Sequence, residues 1–373
     1  MKVGIITQYY NSENYGGLLQ AYALNRAVRG LGCDCETISY SEAVSLKRPK
    51  LTAKNFKLWA KYAVSGVLTR LKGKKPAPDT DFVEFREGKI PHSKAVYDGR
   101  SIEKAASEYD LFICGSDRIW HTRPLALTNR DYFLAFAGDK PKVAYAASAE
   151  VNELTPEEAD FYRKMLLGFS AVSLRESMLL RSFEKYGVYD GAEHVLDPVF
   201  LLGREEWGSV CAPSNIGGPY MFVYALGNEE KAFDSIDKEA RKLGLKVVAA
   251  KKSGEAALRA AKRLGWTIPS HVSPERFVGL VRDAAAVATD SFHCTAFSLI
   301  FGKSVYIVNR DLGKKGASFM DRINSILELM GVPAKGNDEE LFFCEPDAEG
   351  VEKNIVRLRK KSLDFLKNSL SRD

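Results

Sequence analysis

Nowhere does the sequence carry an apolar run near 18 residues, so a transmembrane helix is excluded as a reading. Histidine is scarce, with five in the chain, and the six cysteines are scattered over more than 300 residues. Cys33 and Cys35 form a CxC pair, but no second pair stands at zinc spacing and no histidines cluster nearby. A zinc site is therefore not indicated, and the cysteines read as the reduced thiols of a cytosolic protein. Acidic residues are missing altogether from Lys47 to Lys75, a stretch with ten basic ones. The total charge of +6 therefore belongs to one segment, because the rest of the chain holds 44 basic against 48 acidic residues. What is present is globular: 373 residues, 45% hydrophobic and 27% charged, enough for a sizeable core. A length beyond roughly 250–300 residues suggests two domains. Met1-Lys2-Val3-Gly4-Ile5-Ile6-Thr7 has a short apolar core and no small-residue cleavage site, so it reads as a first strand and not as a signal peptide.

Along the chain, short apolar strands alternate with amphipathic helices. Val3 to Thr7, a loop, a helix with Leu18, Leu19, Tyr22, Leu24, Val28 and Leu31 on one face, and a strand from Asp34 to Ser39 make a βαβ opening. Further buried strands are expected around 110–115, at 142–147 and at 171–175, and Thr155-Pro156-Glu157-Glu158 is a capped helix start. Pro213, Gly217, Gly218 and Pro219 precede a second βα series beginning at Tyr220. The expectation is an α/β protein of two Rossmann-like, doubly wound domains facing across a cleft. The first would span residues 1–205, with the basic segment 47–75 as an insertion, and the second 218–373, including a last helix near 351–370 that could pack on either domain.

In such folds ligands bind beyond the carboxyl ends of the strands, so the polar clusters there are the candidate sites. The first loop ends in Asn14-Tyr15-Gly16-Gly17 ahead of a helix, where backbone N–H groups could meet an anion or simply form a tight turn. It is neither a GxGxxG nor a Walker loop. Ser116, Asp117, Arg118 and His121 follow the strand around 110–115 and could hold a sugar hydroxyl, an anion, or neither. Arg175 stands directly behind a buried strand, next to Glu176, as a ligand for an anion or as half of a buried ion pair. Asp290, Ser291 and His293 lie where a strand gives way to an apolar helix; a histidine there can donate to a phosphate or act as a general acid.

Taken in order, these pieces resemble the polysaccharide pyruvyl transferase family over nearly the whole chain. The residues that carry the resemblance are Asn14-Tyr15-Gly16-Gly17-Leu18-Leu19-Gln20-Ala21-Tyr22, Gly115-Ser116-Asp117-Arg118-Ile119-Trp120 and Ala144-Tyr145-Ala146-Ala147-Ser148. Ser173-Leu174-Arg175-Glu176, Leu196-Asp197-Pro198-Val199-Phe200 with Trp207, and Thr289-Asp290-Ser291-Phe292-His293 follow, with Arg322 ahead of an apolar helix. Arg118 stands where a glutamine is usual and His121 where an asparagine is usual, which bears on acceptor recognition. The resemblance implies a GT-B-like fold and transfer of pyruvate from phosphoenolpyruvate (PEP) to a hexose of a surface polysaccharide or its lipid-linked precursor, closing a cyclic ketal. It also implies that Arg175 and His293, with Arg322, meet the carboxylate and phosphate of PEP; Arg310 is a further basic candidate from its position alone. Asp290 or Asp117 would orient His293 or deprotonate a hydroxyl. No metal and no cofactor is expected, since cationic side chains can hold the phosphate.

Two other functions fit the same fold: a glycosyltransferase using a nucleotide sugar, and a glycan-binding protein without chemistry. The basic stretch adds a question of place. On a helical wheel, Trp59, Ala60, Ala63, Val67 and Leu71 fall on one side, and Lys54, Lys57, Lys61 and Lys72 on the other. Such a helix at 54–72 either lies on the anionic inner face of a membrane or packs on the first domain with its basic face in water. No nucleic-acid recognition motif accompanies it.

Overall fold

The structure is a computed structural model that describes residues 1–42, 79–121, 125, 128–149, 151, 153–310, 319–333 and 340–371. The basic stretch 47–75 and its expected amphipathic helix lie outside the described residues.

Two sheets account for the α/β pattern. The first is built from β1 (Lys2–Ile6), β2 (Asp34–Tyr40), β3 (His92–Tyr97), β4 (Leu111–Cys114), β5 (Lys142–Ala147), β6 (Phe169–Leu174) and β7 (Glu193–His194). Its order is β3-β2-β1-β4-β5-β6-β7, and every pairing is parallel. The second holds β8 (Tyr220–Tyr224), β9 (Lys246–Ala249), β10 (Ala286–Thr289), β11 (Ser304–Val308) and β12 (Leu341–Cys344) in the order β12-β11-β10-β8-β9. Here β12 runs antiparallel to β11 at the edge, a departure from the purely parallel pattern that the βα alternation predicts.

The helices are α1 (Tyr15–Gly30), α2 (Thr80–Lys89), α3 (Pro156–Met165), α4 (Ser177–Tyr186), α5 (Arg204–Val210), α6 (Glu230–Lys242), α7 (Glu255–Leu264), α8 (Pro274–Asp283), α9 (Phe292–Ile300), α10 (Phe319–Leu329) and α11 (Ala348–Leu370). Local chemistry starts them where the sequence predicts. Thr155 and Glu158 close a reciprocal capping box on α3: Glu158 N donates to Thr155 Oγ1 at 3.2 Å and Thr155 N to Glu158 Oε2 at 2.8 Å. Such a cap contributes about 1 kcal/mol. Asn14 caps α1 in the same manner, its side chain accepting from Gly17 N at 3.2 Å.

The order of each sheet reverses once, between β1 and β4 in the first and between β10 and β8 in the second. Loops after these strands diverge and leave a crevice at each reversal. The two crevices are treated differently, as described below.

The units are not separate bodies. Tyr15, Leu18 and Leu19 of α1 share one buried apolar cluster with Phe277 and Val278 of α8 and with Cys294, Ala296 and Phe297 of α9. The last helix belongs to both. Its start packs Val351 and Ile355 into that shared cluster, whereas Phe365, Leu366 and Leu370 pack against Val3, Ile5 and Val28 of the first sheet and α1. The helix thus packs on both units, where its position in the chain left either one open. Burying each of the three large side chains stabilises by roughly 1.5–3 kcal/mol, which fixes the helix end on the first sheet. Among the described residues, no helix is long and apolar enough to cross a membrane.

Candidate active site

Arg175 follows β6 directly and turns its guanidinium inward, where the side chain is 2% exposed. Its Nη1 donates to Asp117 Oδ1 at 2.9 Å and to Asp197 Oδ2 at 3.0 Å; its Nε donates to Glu176 Oε1 at 2.9 Å and its Nη2 to Ser148 Oγ at 2.8 Å. One buried cation thus gathers three carboxylates from the ends of β4 and β6 and the turn after β7. Burial works against the charged guanidinium, yet Glu176, Asp117 and Asp197 outweigh it and hold its pKa above the ordinary arginine value.

The second unit adds to this cluster from the first turn of α9. Phe292 lies with its ring 4.5 Å from the Arg175 guanidinium carbon. His293 places Nε2 3.5 Å from Asp197 Oδ2, an ion-pair distance, and that nitrogen has no hydrogen-bond partner although it is buried. On its other side the ring fills the space above Gly16 in the first turn of α1. A Cβ at Gly16 would fall 2.2 Å from His293 Nδ1, so only glycine lets the two helix starts approach this closely. Both helix N-termini, with their partial positive charge, therefore converge on the imidazole.

Asp197 is the partner that the residue pattern did not single out. It is fully buried, its Oδ1 accepts from Val199 N at 3.1 Å, and Ser116 Oγ lies 3.4 Å from its Oδ2. Burial alone would raise its pKa, but His293 and then Arg175 overcome this and hold it down at about 2. Asp117 is lowered too: burial opposes, and Arg175, His293 and Arg322 prevail. A depressed carboxylate contributes stability that is full above its unfolded value and lost as the pH falls through the folded one. For Asp197 that window runs from the ordinary 3.8 down to about 2. Asp197→Asn is expected to flatten the fall in unfolding free energy between pH 4 and pH 2.5. Urea titrations across that range check it, and an unchanged slope would show the carboxylate to be unlinked to folding.

The other sequence candidates divide. Asp117 also lines a polar groove of about 240 Å³ at the β1/β4 crevice, with Gln8, Tyr10, Ser12, Asn14, Gly17 and Arg118 around it. A further space of about 200 Å³ continues it past Arg118 to His121, Asn129 and Tyr132. Ser116 is buried beneath the groove, accepting nothing from it: its N donates to Gln20 Oε1 at 3.1 Å and its Oγ to Ala146 O at 2.7 Å.

Tyr15 is corrected from a binding residue to an anchor between the units. Its hydroxyl donates to Val272 O at 2.9 Å and its ring stacks on Phe277 at 4.3 Å. Asp290 is corrected as the residue orienting His293. Its carboxylate turns back over the β8 loop, accepting from Leu226 N at 2.8 Å and Gly227 N at 2.7 Å, with Arg310 Nε at 3.4 Å. Burial pushes its pKa up. Arg310 is thereby held at the second sheet's crevice, which Asp290 closes. Ser291 caps α9, accepting from Cys294 N at 3.5 Å. Arg322, from α10, packs beside Arg175, Asp197 and Phe292.

Two α/β units, each with a sheet that reverses its order once, joined by a shared apolar core, make a GT-B-like architecture. The family description "Polysaccharide pyruvyl transferase" matches residues 14–311, and the chain belongs to that family. No curated protein matches the sequence. Solved structures share the fold at low identity. A Listeria monocytogenes protein assigned as a UDP-N-acetylglucosamine 2-epimerase matches with a TM-score of 0.53 and 11% identity over 99% of this chain and 94% of its own. S. aureus MnaA, solved with UDP, matches with a TM-score of 0.52 and 10% identity over 99% and 91%.

Proposed function

We propose that the protein transfers pyruvate from PEP to a hexose of a surface polysaccharide or its lipid-linked precursor and releases phosphate. The observation that carries this reading is His293, buried with an unpartnered Nε2 between Asp197 and the start of α1. A proton donor at carbon is what the chemistry requires. Protonation of the PEP methylene makes C2 an oxocarbenium centre; one sugar hydroxyl adds to C2 and loses its proton. The C2–O bond to phosphate then breaks, and the second hydroxyl closes the ketal. Overall a diol and PEP give a cyclic ketal and inorganic phosphate.

In this reading the hexose occupies the groove lined by Gln8, Tyr10, Asn14 and Arg118, with Asp117 accepting from a hydroxyl. Arg322 and Arg118 meet the anionic groups of PEP, together with amides of the first turn of α9. Arg175 acts at one remove: four of its five N–H donors go to Asp117, Asp197, Glu176 and Ser148, so it holds the carboxylates in place. Asp197 keeps the imidazole oriented, its Oδ2 3.5 Å from Nε2. The nucleotide-sugar alternative would need a carboxylate for the ribose in the second unit, and Asp290 is engaged by the Leu226 and Gly227 amides.

Incubation with PEP and hexose-bearing glycans, set against UDP-sugars and the same glycans, tests the proposal. Phosphate release coupled to a mass gain of one ketal-linked pyruvate is expected; nucleotide release instead would replace the proposal with glycosyl transfer. Gly16→Ala is expected to lower turnover about a hundredfold by displacing His293, a loss of the size general acid catalysis supplies. Overpacking against the buried ring outweighs alanine's helix preference of about 1 kcal/mol, so the melting temperature should fall by a few degrees. Unimpaired turnover in this variant would mean that the ring's seat on α1 is immaterial.

A further inference from the structure

A cavity of about 600 Å³ lies away from the His293 cluster, against the C-terminal half of α1. Gly16 and Arg29 are thirteen residues apart on one helix, so roughly 20 Å separates the two places. Leu31, Leu201, Leu202 and Leu363 give this cavity an apolar wall. Arg26, Arg29, Lys89 and Arg359 line the same space against one carboxylate, Glu206, which is occupied in accepting from Gly203 N at 2.8 Å.

These four cations outnumber the carboxylates near them, Glu206 and, beside Arg359, Glu352. Arg29 Nη1 donates to Cys35 O at 3.3 Å, and Arg359 donates from Nε to Phe200 O at 2.6 Å and from Nη2 to Leu202 O at 3.2 Å. Those acceptors are neutral carbonyls, and burial pulls the Arg359 pKa below its ordinary value. Arg26 and Lys89 are exposed and have no ion-pair partner among the described residues. A second sign of an absent partner is Asn25, 1% exposed and also lining the cavity. Its Nδ2 donates to Thr37 Oγ1 at 3.1 Å and Pro91 O at 3.2 Å, whereas its Oδ1 has no partner. Four like charges around a partly apolar space repel one another, and an anion relieves that repulsion.

We propose that this cavity binds an amphipathic anion, with a phosphate head among Arg26, Arg29, Lys89 and Arg359 and a single aliphatic chain over the leucines. The head alone satisfies the cations but leaves the apolar wall wet. The chain supplies the remainder, each buried methylene adding roughly fourfold in affinity. Leu201 and Leu202 lie on the connection between the two units and Arg359 on the helix that packs on both, so the occupant touches both links between them.

Isothermal titration of the whole chain with dodecyl phosphate below its micelle concentration tests the proposal, with inorganic phosphate and the neutral dodecyl maltoside as comparisons. One dodecyl phosphate per chain is expected, bound about a hundredfold more tightly than either comparison. Arg26→Glu and Lys89→Glu are each expected to weaken it about tenfold without moving the melting temperature, since both side chains are exposed. Equal binding of the maltoside would reduce the site to an apolar surface, and equal binding of inorganic phosphate would remove the chain from it. Either result, unchanged affinity in both charge reversals, or no binding of dodecyl phosphate at all overturns the proposal. The readout is heat of binding without turnover, so its outcome is independent of pyruvyl transfer.

Discussion

Replacing His293 with alanine is expected to lower phosphate release from PEP about a thousandfold, with the fold retained. General acid catalysis contributes typically 10²–10⁴, and the neighbouring imidazole of His194 is engaged at Nε2 with Arg175 O at 2.9 Å. The remaining network survives the change. Asp197 still accepts from Arg175 Nη1 and Val199 N, so the melting temperature should move by a few degrees at most. The check is a phosphate assay at saturating PEP, paired with a thermal melt of the same preparation. Near-normal turnover would remove His293 from the chemistry and leave it as a packing residue over Gly16.

The second large effect concerns Arg175 and falls on stability. Arg175→Ala is expected to cost about 3–5 kcal/mol, because it leaves Asp197 and Glu176 buried without their cation. That is a large share of the stability of an ordinary domain, so the variant is expected to unfold at far lower urea, or to be recovered only as aggregate. Arg175→Lys separates the explanations. A single ammonium keeps the charge but cannot reproduce the fork that reaches Asp117, Asp197, Glu176 and Ser148 together, so a partial loss is expected. If Arg175 instead served as a direct ligand of PEP, Arg175→Lys would keep its urea midpoint and show only a raised KM. The two measurements on one variant decide between a hub and a ligand.

These expectations explain why the cluster is rich in carboxylates although the proposed donor is an anion. The carboxylates are neutralised from beneath by Arg175, and Asp197 faces His293. The groove beyond Asp117 is polar, with Glu42 and Arg118 as charged residues among hydroxyls and amides, which suits hydroxyl groups. Its Arg118 and His121 are the two positions that depart from the family's usual residues, and both line the groove or its extension.

Much of this was legible in the chain itself. Strand and helix alternation, the capped start at Thr155 and the restart at Tyr220 follow from apolar periodicity and local hydrogen bonding, which act over a few residues. The polar clusters at strand ends were legible for the same reason, since a βα turn puts its loop at the carboxyl edge. Partnership was not. Asp197 and His293 are 96 positions apart, and only the packing of α9 onto α1 puts their side chains within 3.5 Å. Asp290, three residues from His293, points the other way because the Leu226 and Gly227 amides capture it. Tyr15 reads as a loop residue near an anion, yet stacking on Phe277 spends it on the join between units. The scarcities that first bounded the protein, few histidines and no long apolar run, are properties of composition, and the sequence by itself determined them along with its family and its βα pattern. Which histidine meets which carboxylate, and that one arginine is buried among three of them, depends on contacts between distant segments, and only the tertiary structure decided it.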